Sequence, residues 1–297
     1  MRWINKIAKK PKITLFHYTT IDGLLGIFRE KKIWATSVLH LNDKAEFSLA
    51  AGIFKNAIEE LEKRLALPAA AAITPAGYKI DLRALFLSVL SHITDPALST
   101  TLTYVCSFSE KGDQLSQWRG YCPGGYGFSI GFDYSQLEKH IERQRCILAQ
   151  CIYKEDEQRL FIDQYVKEAI EPILTSLNDE NLGKRAPECL NELFYVLPVL
   201  KHETFQEEKE WRLISSTFEA KSTSVKFRAG KTTLIPYYEF ELTDEKNEGQ
   251  TLPIESITIG PTPNQTESLY AVKALLNQYG MSKQVNVIHS KIPYREV

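Results

Sequence analysis

The spacing of apolar residues divides the chain into helical and extended stretches. Apolar side chains that recur every three or four positions predict helices. Helices are predicted at 44–65, 79–93, 134–144, 155–177, 187–201 and 266–278, and two short helices are predicted from Asp22 and at 114–120. Short apolar runs predict strands at 13–18, 33–36, 102–108, 127–132, 146–153, 210–215, 224–227, 233–242, 254–259 and 285–289. Strands and helices mix without regular βαβ alternation, so the pattern predicts an α+β fold.

The same pattern predicts one domain that carries two helical insertions. The domain covers 13–297, and the insertions fall at about 44–95 and 134–200. Residues 68–77 are rich in Ala and Pro, which predicts a loop between the two helices of the first insertion. Residues 1–12 are basic and contain no acidic residue, so they are set apart as a basic N-terminal segment.

Composition and charge are those of an ordinary globular chain of 297 residues. Hydrophobic residues make up 43% and charged residues 25%, which suffices for a sizeable core. The 36 Lys and Arg balance the 37 Asp and Glu, which argues against a strongly basic nucleic-acid coat. No stretch approaches the ~20 apolar residues that span a bilayer, and no apolar segment follows the basic start as in a secretory signal. We therefore expect a cytoplasmic protein with no membrane partner.

The cysteines and histidines show no metal-binding spacing. The chain has five Cys and six His, but no C-x-x-C, H-x-H or H-E-x-x-H motif, so no metal site is predicted. The odd number of cysteines also disfavours a disulfide framework. Cys106 and Cys151 sit in apolar runs, which predicts that they are core thiols.

The first candidate site is at the end of the first predicted strand, where His17 is followed by Tyr18 and Thr19. The imidazole could hydrogen-bond a ligand hydroxyl, and Tyr18 could stack on a flat ring. The alternative is a structural histidine that bonds a backbone carbonyl. Both interpretations fit the pattern.

The second candidate is a polar loop that contains Ser116, Trp118, Arg119 and Tyr121. The Arg119 guanidinium suits a phosphate or carboxylate, and the two aromatic residues offer ring faces. The alternative is that Trp118 fixes the loop to the core while Arg119 pairs with a surface acid. The sequence leaves both interpretations open.

The third candidate is an acidic cluster that leads into an apolar strand, with Glu208 and Glu210 two residues apart. On an extended chain these carboxylates point to the same side. One could then bind a hydroxyl while the other stabilises a cation, and their mutual repulsion would raise one pKa. The alternative is a solvated run of charges.

A smaller group, Asn42, Asp43 and Glu46, precedes the first long helix. Asn42 or Asp43 fits the N-cap of that helix. A functional alternative joins Asp43, Glu46 and Glu210 around Mg²⁺ as a nuclease. The chain has no D-x-D motif that would favour this alternative.

Short motifs occur in a definite order along almost the whole chain. They are His17-Tyr18-Thr19, Ile33-Trp34-Ala35, Leu41-Asn42-Asp43 with Glu46, Val105-Cys106-Ser107-Phe108-Ser109, Ser116 with Trp118 and Tyr121, Gly127-Phe128-Ser129-Ile130-Gly131-Phe132, Lys201-His202 with Phe205 and Glu208-Lys209-Glu210-Trp211-Arg212, Ile257-Thr258-Ile259-Gly260-Pro261, and Ser290 with Ile292-Pro293-Tyr294-Arg295. Taken together, these motifs resemble a bacterial family catalogued as domain of unknown function 2971. The resemblance extends from about residue 13 to 296, and the family name implies no function.

The order of these motifs also resembles, more distantly, the ADP-ribosyltransferases. In that family a His or Arg at the end of the first strand holds the ribose of NAD, a central aromatic or hydroxyl motif cradles the nicotinamide, and a late Glu stabilises the ribosyl cation. The resemblance implies a split β-sheet core, with His17 in the first role, Ser116 and Tyr121 in the second, and Glu210 with Glu208 in the third.

The resulting prediction is an NAD-dependent ADP-ribosyltransferase-like effector that acts in antiphage defence or as a toxin. NAD would be the substrate, with Arg119 on its pyrophosphate, and the acceptor would be an unknown protein or nucleic acid, or water. A regulatory partner protein is a further expectation. Two alternatives remain: a non-catalytic sensor of a nucleotide or partner, and the metal-dependent nuclease described above.

Overall fold

The structure is a computed structural model that describes most of the chain. The described residues are 3–11, 13–41, 45–65, 71–73, 79–81, 101–122, 124, 126–175, 182–219, 221–244 and 251–293. Asn42 and Asp43 lie outside these ranges, as does the side chain of Glu46. Within the described ranges, no helix has both the length and the apolar character needed to cross a membrane.

Helices make up much of the chain outside the central sheet. In chain order they are α1 (Ile4–Ile7), α2 (Ile21–Glu30), α3 (Ala45–Leu65), α4 (Leu115–Tyr121), α5 (Tyr134–Arg143), α6 (Glu155–Tyr165), α7 (Leu182–Val196) and α8 (Gln265–Gln278). Helix α6 continues through a π-helical turn, Val166–Ile170, into the short helical segment Glu171–Thr175. Three 3-10 turns lie at Val38–His40, Leu197–Val199 and Glu203–Glu208.

The strands are short and spread along the chain. In chain order they are β1 (Leu15–Thr19), β2 (Lys32–Ser37), β3 (Ala71–Ile73), β4 (Lys79–Asp81), β5 (Thr101–Leu102), β6 (Tyr104–Ser109), β7 (Phe128–Phe132), β8 (Ile147–Gln150), β9 (Glu210–Ile214), β10 (Phe218–Glu219), β11 (Val225–Ala229), β12 (Leu234–Glu241), β13 (Ile254–Ile259) and β14 (Asn286–His289).

Ten of these strands form one mixed sheet in the order β11-β12-β2-β6-β1-β7-β13-β14. Strand β9 pairs with the other edge of β6, and β8 pairs with β9. Pairing is antiparallel except between β13 and β14. Strands β3 with β4 and β5 with β10 form two separate two-stranded sheets. This architecture confirms the predicted α+β class.

Strands β1 and β2 separate from one another along the same edge of β6. Thr36 of β2 pairs with Val105 near the start of β6, whereas Phe16 of β1 pairs with Ser109 at its end. Between these points, Cys106–Phe108 pair with β9 on one side but with no described strand on the other. We call this gap between β1 and β2 the fork.

Helix α2 connects β1 to β2 beside the fork. Thr20 follows β1 and caps the helix, because its side-chain oxygen accepts a hydrogen bond from the Gly23 N–H at 3.1 Å. The apolar side of α2, which includes Leu24, Ile27 and Phe28, is buried. This anchored helix fixes where β1 ends, and with it the position of the residues that precede Thr20.

Two apolar cores cover the two faces of the sheet. Helices α3, α6 and α7 contribute side chains such as Phe54 and Leu193 to the first core. Helices α2, α5 and α8 contribute side chains such as Leu276 to the second. Trp3 and Ile7 belong to the basic N-terminal segment, yet both are buried in the first core. That segment is therefore packed onto the domain.

The secondary structure predicted from the apolar pattern is wrong in part of the first predicted insertion. A helix is predicted over 79–93 and a loop over 68–77, but Ala71–Ile73 pairs with Lys79–Asp81 as a strand pair. Lys79–Asp81 alternate polar and apolar residues, which is strand spacing at the start of a helical pattern. Residues 82–93 lie outside the described part of the chain.

Candidate functional site

A cavity of about 750 Å³ opens at the fork, within the size range of small-molecule sites. Strands β1, β2, β6, β9 and β11 contribute to its wall, as do α2, α4 and the segment before β9. Its lining includes His17, Trp34, Tyr121, Lys201, Glu210 and Arg228. The structure thus brings the first and third candidate sites, which are far apart in sequence, to one cavity.

His17 bridges the fork through its ring. Its Nδ1 lies 3.0 Å from the carbonyl oxygen of Ser107, and because a carbonyl only accepts, Nδ1 carries the proton. Burial lowers the pKa of His17, although the Ser107 carbonyl partly opposes this effect, so the ring is neutral near pH 7. Nε2 is then an acceptor, and no described residue occupies it. His17 can therefore bond the backbone through Nδ1 and bind a ligand through Nε2, so the two interpretations made from the sequence are compatible.

A buried cluster of two carboxylates and two cations also lines the cavity. Lys201 Nζ lies 2.5 Å from Glu210 Oε2 and 2.6 Å from Glu208 Oε2. Arg212 donates to both oxygens of Glu210, from Nε to Oε1 at 2.9 Å and from Nη2 to Oε2 at 3.1 Å. Arg212 also donates to the Pro198 carbonyl at 2.7 Å. Glu210 is therefore held between two cations.

These cations determine the ionisation of Glu210. Burial by itself would raise its pKa, but the Arg212 guanidinium and the Lys201 ammonium lower that pKa to about 2. Burial would lower the pKa of Lys201, yet the Glu210 carboxylate raises it above the ordinary value. Glu210 therefore does not carry the raised pKa that was predicted for one of the two carboxyls, because Arg212 and Lys201 together outweigh the effect of burial.

The backbone before β9 places Glu208 beside Glu210. Glu208 ends a 3-10 turn, and Lys209 adopts a left-handed conformation with φ 43°. Ser109 Oγ donates to the Glu208 carbonyl at 2.7 Å, and the Glu210 N–H donates to Tyr153 Oη at 2.7 Å. The two side chains meet at Lys201 because of this bend rather than the extended chain assumed from sequence.

Glu208 differs from Glu210 in its partners. The Glu208 side chain is 14% exposed, against 4% for Glu210. Its Oε2 binds Lys201, but its Oε1 has no partner among the described residues. Glu208 also lines the cavity, so it is the carboxylate that can meet a ligand directly.

Tyr18 and Thr19 line the cavity beside His17, and Tyr18 has a clear structural role. The Tyr18 hydroxyl donates to the Lys111 carbonyl at 2.7 Å and accepts from the Gln114 N–H at 3.0 Å. Its ring packs edge-on against Trp118 at 4.7 Å, and burial raises its pKa. Tyr18 therefore ties β1 to the loop before α4.

Helix α4 separates the residues of the second candidate site. Tyr121 lines the cavity. Burial is the main cause that raises its pKa, and the negative charges of Glu210 and Glu208 raise it further. Ser116 and Arg119 are not among the described residues that line the cavity. Arg119 is exposed, and Ser116 accepts from the Gln114 amide at 3.1 Å.

Trp118 takes the structural role that the sequence left open. It is fully buried, and its indole N–H donates to Asp113 Oδ1 at 2.8 Å. Asp113 also accepts from the Ser290 hydroxyl at 2.6 Å and from the Lys291 N–H at 2.8 Å. Trp118 thereby fixes α4 to the C-terminal part of the chain.

The lining includes charged and aromatic residues that were not predicted as site residues, among them Lys201, Arg212, Arg228 and Trp34. Arg212 carried a sequence signal, because it lies two residues after Glu210 and shares its face of the strand. The others needed the three-dimensional arrangement. The nuclease alternative is not tested, since Asp43 and the Glu46 side chain are not described. No group of three potential metal ligands occurs within the described ranges.

The middle of the chain matches a known family model. Residues 117–213 match the model described as "Protein of unknown function (DUF2971)", which confirms the family resemblance predicted from the sequence motifs. The matched region includes Tyr121, Lys201, Glu208 and Glu210 and excludes His17. No curated protein and no solved structure is significantly similar to this chain.

Proposed function

We propose that the fork cavity binds NAD and that the chain is an ADP-ribosyltransferase-like enzyme that transfers ADP-ribose to a macromolecular acceptor. The observation that carries the proposal is that His17 and Glu208 line one cavity at a gap in the sheet. The distant resemblance implies that a split sheet holds NAD between an early histidine and a late glutamate, and it gives the second role to Glu210 with Glu208. We assign that role to Glu208, because its Oε1 has no partner among the described residues.

His17 supplies the ribose contact in this proposal. Its Nδ1–H is committed to Ser107, so its orientation is fixed before a ligand arrives. The neutral Nε2 can accept a hydrogen bond from a ribose hydroxyl. A fixed acceptor of this kind holds the sugar in place without an ordering cost at the moment of reaction.

Glu208 supplies the anion for the chemical step. The C1′–N bond breaks with its electron pair going to the nicotinamide nitrogen, which leaves as a neutral ring. The ribose ring develops positive charge, and a nearby carboxylate stabilises that charge. A nucleophilic atom of the acceptor then bonds to C1′ and releases its proton to water. Glu210 acts through Lys201, which it positions against Glu208.

Aromatic side chains around the cavity suit the flat rings of NAD. Tyr121, Phe205 and Trp34 all line the cavity. Trp34 is 46% exposed and packs against Tyr237 at 4.5 Å, so a large ring surface is held in place. Stacking on such rings is the usual way to bind nicotinamide and adenine groups.

The test is nicotinamide release from NAD by the purified full chain. Wild type should release nicotinamide, and Glu208→Gln should reduce the rate by at least about 100-fold, because a charge that stabilises the transition state is removed. Glu207→Gln is the matched control, since Glu207 is exposed and outside the described lining of the cavity. Equal rates for wild type and Glu208→Gln would contradict the assignment.

One observation favours a second candidate, a sensor that binds the nucleotide without cleaving it. Two cations neutralise Glu210, and Lys201 also holds one oxygen of Glu208. Such pairing weakens the ability of a carboxylate to stabilise a developing cation. Calorimetric titration with NAD separates the candidates: binding without nicotinamide release indicates the sensor.

The biological setting stays a prediction. An effector in antiphage defence or a toxin would stop growth when expressed in bacteria, and Glu208→Gln would restore it. The acceptor, a regulatory partner protein and the cytoplasmic location are expectations from the sequence. Incubation of the chain with labelled NAD and a bacterial extract would identify a protein or nucleic-acid acceptor by the label that it receives.

A further inference from the structure

Arg228 is a cation of the cavity that the function proposed above does not use. It lies on β11 and lines the cavity near Thr36 of β2. Its Nη2 donates to the Thr36 hydroxyl at 3.2 Å. Its Nε is buried and has no hydrogen-bond partner among the described residues. A guanidinium has five N–H donors in a fixed planar arrangement, so donors remain available for a ligand.

The other cations of the cavity already have carboxylate partners. Lys32 lies 3.2 Å from Glu239, and Lys201 and Arg212 share Glu210. Within the described part of the chain, Arg228 has no carboxylate at ion-pair distance. Taking a guanidinium out of water without a counter-charge costs free energy, so an anion that enters the cavity gains a partly desolvated, unneutralised partner.

The neighbours of Arg228 share its face of the sheet. Arg228 pairs with Ile235 of β12, and Tyr237, two residues on, pairs with Thr36. Alternate residues of a strand share a face, so Arg228, Tyr237 and Trp34 lie on the same side. A half-exposed indole thus lies on the same face as the unpaired guanidinium, which is the combination of ring and cation that suits a nucleotide.

We propose that Arg228 forms a phosphate subsite that binds the pyrophosphate of a nucleotide whose ribose reaches His17. The identity of the nucleotide as NAD rests on the proposed function, whereas the anion subsite rests on Arg228 itself. Arg228 takes the role that the sequence suggested for Arg119, which is exposed and outside the described lining of the cavity. The bond is a bidentate pair of N–H groups to phosphate oxygens.

The test is calorimetric titration of the full chain with four probes: NAD, ADP-ribose, inorganic pyrophosphate and nicotinamide riboside, which lacks the pyrophosphate. Arg228→Met removes the charge but keeps much of the side-chain volume. Arg228→Lys keeps the charge but lacks the planar guanidinium group and its paired N–H donors. The matched control is Lys226→Met, because Lys226 lies two residues away on the same face of β11, pairs with Glu239 and is outside the described cavity lining.

Arg228→Met should weaken ADP-ribose and pyrophosphate binding by at least about tenfold and leave nicotinamide riboside binding unchanged. Arg228→Lys should recover part of the loss, and Lys226→Met should bind as wild type. Thermal melting checks that each variant is folded at the temperature of the titration.

The outcomes separate this inference from the proposed function. If pyrophosphate binds and Arg228→Met abolishes that binding while NAD does not bind, the anion subsite stands and the NAD assignment fails. If NAD binds equally to wild type and Arg228→Met, the NAD assignment stands and the subsite fails. A wild-type chain that binds neither pyrophosphate nor ADP-ribose overturns the subsite as well.

Discussion

Glu210 and His17 project from opposite faces of the central sheet and yet line the same cavity. Glu210 pairs with Ser109 of β6, and Ser109 pairs with Phe16 of β1, so these three side chains share one face. His17 follows Phe16 and therefore points to the other face, where its ring lies 5.9 Å from that of Phe108. Both residues reach one cavity because the fork opens a passage between β1 and β2.

This relationship predicts that His17→Ala weakens NAD binding while leaving the chain folded. The substitution removes the acceptor Nε2 and the bond to Ser107. One hydrogen bond contributes about 0.5–1.5 kcal/mol, so the Kd should rise roughly 2- to 10-fold. Calorimetry with NAD measures the effect.

The control for His17 is His289→Ala on the edge strand β14, which lies outside the described lining of the cavity. That variant should bind NAD as wild type does. If His17→Ala lowers the melting temperature but leaves the Kd unchanged, the imidazole is a structural bridge alone, and the ribose contact is wrong.

Trp34→Ala should weaken NAD binding more than it weakens the fold. The indole is 46% exposed and lines the cavity, so its removal leaves little unfilled core. Loss of one stacked ring costs about 1–3 kcal/mol of binding, or roughly 5- to 150-fold in Kd. NAD should also quench tryptophan fluorescence in wild type by a larger fraction than in Trp34→Ala.

The matched control for Trp34 is Phe227→Ala on β11. Phe227 is 58% exposed, but it lies on the other face of the sheet and outside the described lining. It should have no effect on NAD affinity. Equal affinities for wild type and Trp34→Ala would remove this ring from the proposed site.

The strand and helix pattern was largely predictable, because most elements carry their own periodicity. The strand predicted at 254–259 has the observed bounds, and the helix predicted at 266–278 starts one residue early in the structure, at Gln265. The fork could not be predicted from periodicity, because it depends on where along β6 the pairing changes from β2 to β1. A split core was implied only by resemblance.

The candidate site was predictable only in part, for a related reason. The sequence around His17, Glu208 and Glu210 was enough to identify them as candidates. The pairing of Lys201 with both carboxylates arises from a backbone bend that no apolar pattern encodes. Arg228 belongs to an exposed alternating strand, where basic residues are common. Its importance follows from what surrounds it in space.

Tyr18→Phe should destabilise the fold and leave NAD affinity nearly unchanged. The hydroxyl holds two backbone groups, the Lys111 carbonyl and the Gln114 N–H. Their loss of a partner costs about 1–3 kcal/mol, because both are partly buried. Urea unfolding measures the stability, and calorimetry the affinity. A large rise in Kd with unchanged stability would instead make Tyr18 a direct ligand contact.

The ion cluster predicts how stability depends on acid. The pKa of Glu210 is lowered to about 2 in the folded chain, so the unfolded chain binds the proton more readily. The stabilisation is complete above the ordinary carboxyl value of 4.5 and is lost as the pH falls from there toward about 2. Wild type should therefore lose stability steeply across this window.

Glu210→Gln should flatten that part of the pH dependence and, at pH 7, destabilise the chain by about 3–5 kcal/mol, because Lys201 and Arg212 are left as buried cations without their shared partner. Glu155→Gln is the control: Glu155 pairs with Arg159 on the exposed surface of α6, where such pairs contribute little. Urea midpoints measured from pH 7 to pH 3 for the three proteins decide the matter. If Glu210→Gln keeps the wild-type slope below pH 4.5, other carboxyls govern acid unfolding, and the cluster does not have the energetic role assigned to it.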